Sequence, residues 1–154
     1  TREAYSDDNA KANEFLYRRV EMEDAVSAHL RAIERAPALG FGRYIISATT
    51  PFQRSDLLEL QRDAAAVVQR HYPQFRQAYK RLGWSMFPTI DRVYVNAKAR
   101  RDLGWIPRHD FGSVLARLDA GSALLSALAQ AVGSKGYHPQ RRFAEGPYPV
   151  ACEG

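Results

Sequence analysis

The residues best suited to chemistry in this sequence are its arginines. Of 22 basic side chains only four are lysine: Lys11, Lys80, Lys98 and Lys135. A guanidinium presents a planar fork of donors that matches phosphate and carboxylate, whereas an ammonium is a point charge. Arg18 and Arg19 lie in a short mixed run, residues 15–22 (FLYRRVEM), and Arg92 stands in residues 91–95 (DRVYV). Arg18, Arg19 and Arg92 are therefore the candidate substrate-binding residues, and bidentate capture of a phosphate is the chemistry they would do. The competing reading is a set of solvated arginines, or ion pairs with Glu21, Glu23 or Asp91. The formal net charge of +5 is unevenly spread. Residues 1–36 hold eight acidic and six basic groups, and the remainder nine acidic and sixteen basic. That excess fits an anionic partner; a genome rich in arginine codons would produce it equally well.

No other constellation carries a reaction. His29, His71, His109 and His138 are scattered and match no metal-ligand spacing. His29 falls near the apolar stripe of its helix and is expected at the core edge. Cys152 is the only cysteine, which excludes an internal disulfide and a CxxC zinc site. Gly40-Phe41-Gly42 begins like a dinucleotide fingerprint, but it precedes a predicted strand instead of following one. Tyr94 and Lys98 have YxxxK spacing, yet the tyrosine sits on a predicted strand and the lysine lies beyond Asn96. Catalytic, cofactor-binding and metal-ligating residues are accordingly expected to be none. Arg100-Arg101 and Arg141-Arg142 are only pairs, each near an acidic residue, which argues against nucleic-acid binding. No apolar run approaches the ~20 residues that span a bilayer, so no membrane partner is expected. The opening residues are polar and acidic, unlike a signal peptide, and a cytoplasmic location is the expectation.

Several elements must position the arginines. The chain has 154 residues with 45% hydrophobic and 25% charged content, enough for one core. Residues 1–14 read as a polar lead, loop or frayed helix. Residues 15–22, 43–47 (RYIIS) and 91–95 read as short strands. Asp24 reads as the N-cap of a helix in which Val26, Leu30 and Ile33 recur with Ala25, Ala28, Ala32 and Ala36, ended by Pro37 and Gly40. A second helix is expected from Ser55 to Arg70, stopped by His71-Tyr72-Pro73. Residues 74–90 read as irregular. Asn96 is expected to cap AKARRDL, closed by Gly104; Asp110 to cap a helix through Leu118; and Ser122 to Val132 to form one more. The last 20 residues read as a Gly/Pro/Tyr-rich tail. This order is α/β, with too few strands for a self-sufficient parallel sheet.

Two stretches carry a family resemblance. Val20-Glu21-Met22-Glu23-Asp24-Ala25 through Ala28 resembles the V-x-x-x-D-(V/A)-x-x-A junction of the NAD(P)-dependent epimerase/dehydratase family, the extended short-chain dehydrogenases. Seventy residues on, Asn96-Ala97-Lys98 through Leu103-Gly104-Trp105-Ile106-Pro107 resembles that family's D-x-S-K-A-x-x-x-L-G-W-x-P signature. The resemblance covers about residues 15–120, between the polar lead 1–14 and a C-terminal helix and tail at 121–154. It implies the C-terminal, substrate-binding portion of an extended Rossmann-type dehydrogenase similar to UDP-glucose 4-epimerase, with few short strands and about five helices. It implies NAD or NADP in the parent protein and none on this chain alone, because the glycine-rich fold and the catalytic Tyr/Lys belong to the family's N-terminal half. The implied ligand is a nucleotide-sugar or another phosphorylated small molecule, gripped through Arg92. From Asp24, family spacing places the second arginine at Tyr17, where this chain has Arg18 and Arg19 next in line; Val95 stands in place of the usual Asp. The implied partners are the missing N-terminal Rossmann portion or a second copy. The alternative is a free-standing, oligomerising binding module that has lost catalysis.

Overall fold

Ser6 starts the first helix. Its hydroxyl accepts the N–H of Asn9, and Asp7 and Asp8 place negative charge in the first turn, where the helix dipole favours it. The structure is a computed structural model that describes residues 4–133. Helix α1, Asp7–Glu14, is anchored and not a frayed lead. Asn9 and Asn13, one turn apart, both donate to the Ser85 carbonyl at 2.9 and 3.0 Å, and Asn13 accepts the buried Tyr79 hydroxyl at 2.8 Å. Burial raises the Tyr79 pKa, so the phenol stays a donor. Two of the polar residues of this segment, Asn9 and Asn13, cross-link it to the rest of the fold.

Helix α2 follows at Met22–Leu39. The helix expected from Ser55 to Arg70 is interrupted: a 3-10 turn, Arg54–Asp56, runs into α3, Leu57–Leu60, and a new helix α4 starts at Ala64–His71. Asp63 makes the break, because its side chain accepts the Ala66 N–H and caps α4. Residues expected to be irregular contain α5, Phe75–Leu82, ended by Gly83 at φ +66°. The short helix after Asn96 is α6, Ala97–Leu103, closed by Gly104 in the left-handed conformation. Helix α7, Phe111–Asp119, is held by a reciprocal Asp110–Ser113 capping box, and α8, Ala127–Val132, is capped by Ser126.

The described residues form eight α-helices and contain no β-strand. The α/β, Rossmann-type fold class is thus overturned, together with all three strands and the helix count of about five. Residues 15–18 leave α1 as turns, while 43–50 and 91–95 run without regular structure. These segments do lie together: Ala48 N–H donates to the Arg19 carbonyl at 2.7 Å, and Tyr94 N–H to the Tyr17 carbonyl at 2.8 Å. A ladder requires repeated bonds between two continuous edges. Here the middle segment is a turn that offers one carbonyl to each neighbour. The apolar, β-branched composition of RYIIS reported burial and extension, which do not by themselves make a sheet.

Most of the core lies between α1, α3, α4, α5 and α7, built on Phe15, Leu16, Leu60, Val67, Val68 and Phe111, with Phe75 and Tyr79 stacked edge to face. A second cluster joins α2 to α6 through Ala28, Ala99, Leu103 and Trp105. Only the alanine face of α2 is covered. Val26, Leu30 and Ile33 are 46, 56 and 70% exposed, and His29, expected at the core edge, is exposed with its ring against the Ala25 carbonyl. At ~100° per residue, Val26, Leu30 and Ile33 stand about 140–160° round the helix from Ala28. The helix is apolar on two faces; α6 packs on the alanine face and α8 lies against the helix as well, while Val26, Leu30 and Ile33 stay exposed.

Asp56 joins the 3-10 turn to α4. It accepts the Gln53 N–H at 2.9 Å and faces His71 at 2.9 Å, with Arg70 at 3.5 Å. The Gln53 hydrogen bond, helped by His71 and Arg70 and opposed by burial, lowers its pKa. A carboxylate whose folded pKa is depressed stabilises the fold fully above the ordinary value of about 3.9, and loses that contribution as pH falls through the folded value. Urea midpoints measured from neutral pH down to about pH 2 are therefore expected to fall on the acid side. The Asp56→Asn variant is expected to show a shallower acid limb, and an unchanged slope would refute the assignment.

Candidate functional site

Glu14 ends α1 with a buried carboxylate that accepts from two arginines. Arg18 bonds it at the i, i+4 spacing, and Arg19 Nη1 donates to Oε2 at 3.0 Å. The hydrogen bond to Glu14 raises the Arg18 pKa, burial opposes it, and Tyr17 and Tyr94 add to the rise. The guanidinium lies 5.3 Å from the centre of the Tyr17 ring. Glu14 and Tyr17 thus orient Arg18, which keeps 44% of its side chain exposed.

The second wall comes from residues 91–95. The Tyr94 N–H bond to Tyr17 fixes this segment beside the turn, and the buried Asn96 anchors its far end. Asn96 was expected to cap α6 with its side chain. It occupies the cap position, but its amide instead donates to the Ser47 carbonyl at 2.8 Å and to Thr49 Oγ1 at 3.1 Å. Asn96 therefore ties the two extended segments together.

Tyr17, Arg18, Asp91, Arg92 and Tyr94 enclose a cleft of about 230 Å³. A neighbouring hollow of about 270 Å³ shares Tyr17 and Arg18 and adds Tyr5, Phe87 and Pro88. Among the described residues Arg92 makes no ion pair, so its fork is available beside Arg18. Two guanidinium groups on one cleft that two tyrosines also line, with the Asp91 carboxylate beside them, can hold a phosphate chain against an aromatic surface. Of the three predicted arginines, Arg18 and Arg92 come together, whereas Arg19 turns away to line a separate cavity. Tyr17, Tyr94 and the organising Glu14 were missed as site residues. The Glu14–Arg18 spacing of four was the available signal for the last of them.

The remaining motifs separate. Lys98 pairs with Asp102 at 2.8 Å and sits 3.8 Å from the Tyr44 ring centre, so it serves neither Tyr94 nor the cleft. Gly40 closes the C-terminus of α2 at φ +66°, with its N–H on the Ala36 carbonyl. That is the negative end of a helix, and a pyrophosphate requires the positive one. Gly42 is covered as well: a Cβ placed there would stand 2.6 Å from the Tyr44 ring. The Gly40–Gly42 stretch therefore does not fit a dinucleotide. No group of three or more His, Cys, Asp or Glu side chains among the described residues could hold a metal ion. No helix among them is long and apolar enough to cross a membrane. Cys152, His138, Arg141, Arg142 and the predicted tail lie outside the described residues.

No family model matches the chain, and comparison with curated proteins and with solved structures returns no match.

Proposed function

We propose that this chain binds the diphosphate of a nucleotide-sugar, or of a similar phosphorylated small molecule, in the Arg18–Arg92 cleft. On this reading it is the substrate-binding portion of an epimerase/dehydratase-like enzyme, and NAD(P) and the catalytic groups are supplied by protein outside it. The observation that carries the reading is the shared cleft of Arg18 and Arg92, flanked by Tyr17 and Tyr94. The Asn96-to-Pro107 resemblance points the same way.

Calorimetric titration of UDP into the 154-residue chain tests it. Each charge-assisted contact contributes about 1.5–3 kcal/mol, so Arg92→Ala should weaken binding at least about tenfold. Arg62→Ala, at an exposed position away from the cleft, should leave it unchanged. Equal affinity of the parent and Arg92→Ala chains, or UDP binding no tighter than inorganic phosphate, would overturn the proposal.

The exposed Val26–Leu30–Ile33 face of α2 favours a second reading, an oligomerising module. It predicts a dimer or larger species by light scattering that Leu30→Glu converts to monomer. A strictly monomeric parent chain would count against it.

A further inference from the structure

Helix α5 and the residues after it border a groove of about 570 Å³ that shares no residue with the Arg18–Arg92 cleft. Its lining is mainly aromatic. Phe75 and Tyr79, both buried, reach it from α5, and the half-buried Trp84 meets the Tyr79 ring edge to face, with centres 5.6 Å apart. The Trp84 N–H donates to the Tyr79 carbonyl at 2.9 Å. Ser85 is held by α1: its carbonyl accepts from Asn9 and Asn13, and its N–H donates to Asn9 Oδ1 at 3.1 Å. Met86 and Ala65 of α4 complete the apolar lining. Backbone bonds and two buried asparagines therefore fix the groove, and the small Ala65 side chain leaves room in it.

Two cations stand on this lining and no carboxylate does. Arg76 and Lys80 are exposed, one turn apart on α5, and among the described residues neither makes an ion pair. Their neighbour Arg81 does, with Asp119. Like charges at i, i+4 repel, and the helix dipole opposes a cation in the first turn. Arg76 meets both penalties, and α5 contains no acidic residue to offset them. Its guanidinium lies 5.6 Å from the centre of the Phe75 ring, which places the charge over a side chain that itself lines the groove. An anion seated there relieves the repulsion, and a guanidinium holds a carboxylate through two parallel bonds. The aromatic rings and the pliable methionine call for a hydrocarbon body. The volume falls within the roughly 300–1,000 Å³ usual for ligand pockets. Two cations on one helix do not make the basic track that a nucleic-acid strand follows.

We propose that this groove binds a free anionic amphiphile of the fatty-acid class. The carboxylate accepts from Arg76 and Lys80, and the hydrocarbon chain lies along Phe75, Trp84 and Met86. The site does not depend on the reading of the Arg18–Arg92 cleft.

The test is calorimetric titration of the 154-residue chain with octanoate, octan-1-ol and acetate, which separate the charge from the chain. Octanoate is expected to bind, and the other two to bind at least about tenfold more weakly. The double variant Arg76→Gln, Lys80→Gln should weaken octanoate about tenfold and leave octan-1-ol unchanged. Ala65→Phe should fill the groove and abolish octanoate binding, with circular dichroism unaltered. Trp84 gives a local readout, because the other tryptophan, Trp105, is buried in the cluster between α2 and α6. Octanoate should change the tryptophan emission of the parent chain and leave that of Trp84→Phe unchanged. The proposal is overturned by absence of octanoate binding at about 10 mM, by equal affinity for octanoate and octan-1-ol, or by parent-like octanoate binding in the double variant or in a folded Ala65→Phe chain. If a dT oligonucleotide or phosphatidylglycerol vesicles bind at this face and octanoate does not, the assignment to a free amphiphile fails.

Discussion

Replacing Trp105 with alanine is expected to lower the stability of the chain by about 3–5 kcal/mol, the usual cost of removing a fully buried large aromatic side chain. Trp105 is 1% exposed and is the largest member of the cluster that joins α2 to α6. Its other buried members are two alanines and a leucine, so little side-chain volume can collapse into the space it leaves. The indole N–H also donates to Ser27 Oγ at 3.0 Å, and Ser27 in turn donates to the Asp24 carbonyl. Trp105→Phe should keep much of the packing and lose only the hydrogen bond, giving a smaller loss. Ile106, one residue on, is 76% exposed, and Ile106→Ala should fall within about 0.5 kcal/mol of the parent. Urea unfolding measures all three. Equal midpoints for Trp105→Ala and Ile106→Ala would contradict the packing described.

A loss of comparable size, about 3–5 kcal/mol, is expected for Asp24→Ala, by another route. Asp24 was expected to cap α2, but Glu21 occupies the cap position and Asp24 lies inside the first turn. Its buried carboxylate reaches across the fold, accepting the Arg108 N–H at 2.8 Å and the His109 N–H at 2.9 Å. Each bond to a charged acceptor contributes about 1.5–3 kcal/mol, and alanine leaves both backbone donors without a partner. Asp24→Asn keeps one acceptor oxygen and should cost roughly half as much. The signature of the lost contact is local. Amide exchange at Arg108 and His109 should accelerate in Asp24→Ala before the core amides of α4 do. Exchange that rises uniformly across the chain would mean that Asp24 acts only through global stability.

Both residues belong to the stretches that carry the family resemblance, and both have structural roles. Trp105 and Asp24 clamp the segment after α6 against α2. That clamp leaves the other face of α2 bare. The exposed Val26, Leu30 and Ile33 are the feature that a light-scattering measurement addresses most directly.

Local chemistry was legible wherever it is settled within a few residues. The Asp110 cap of α7, the Gly104 termination of α6 and the stop of α4 before Pro73 follow from capping geometry and from proline's steric demands. The joining of Arg18 and Arg92 was legible only as a question, because residues 74 apart in sequence meet through one backbone bond between Tyr17 and Tyr94. The anchoring of helix α1 was hidden because its buried face mixes alanines with Glu14 and two asparagines, and the role of Asn9 and Asn13 depends on the Ser85 carbonyl lying within reach. Helix α5 was hidden by flanking Pro73 and Gly83, which bracket a strongly amphipathic stretch of about two turns.

Residue types and short spacings determined the helix boundaries set by capping groups, the arginine-rich character of the ligand candidates and the absence of a metal-ligand motif. Only the tertiary structure decided whether residues 15–22, 43–47 and 91–95 are strands, which arginines share a cleft, and which face of α2 is covered. The reason is physical. Capping and backbone sterics act within a turn of chain, whereas a sheet, a cleft and a buried face each exist only through a neighbour that arrives from far along the sequence.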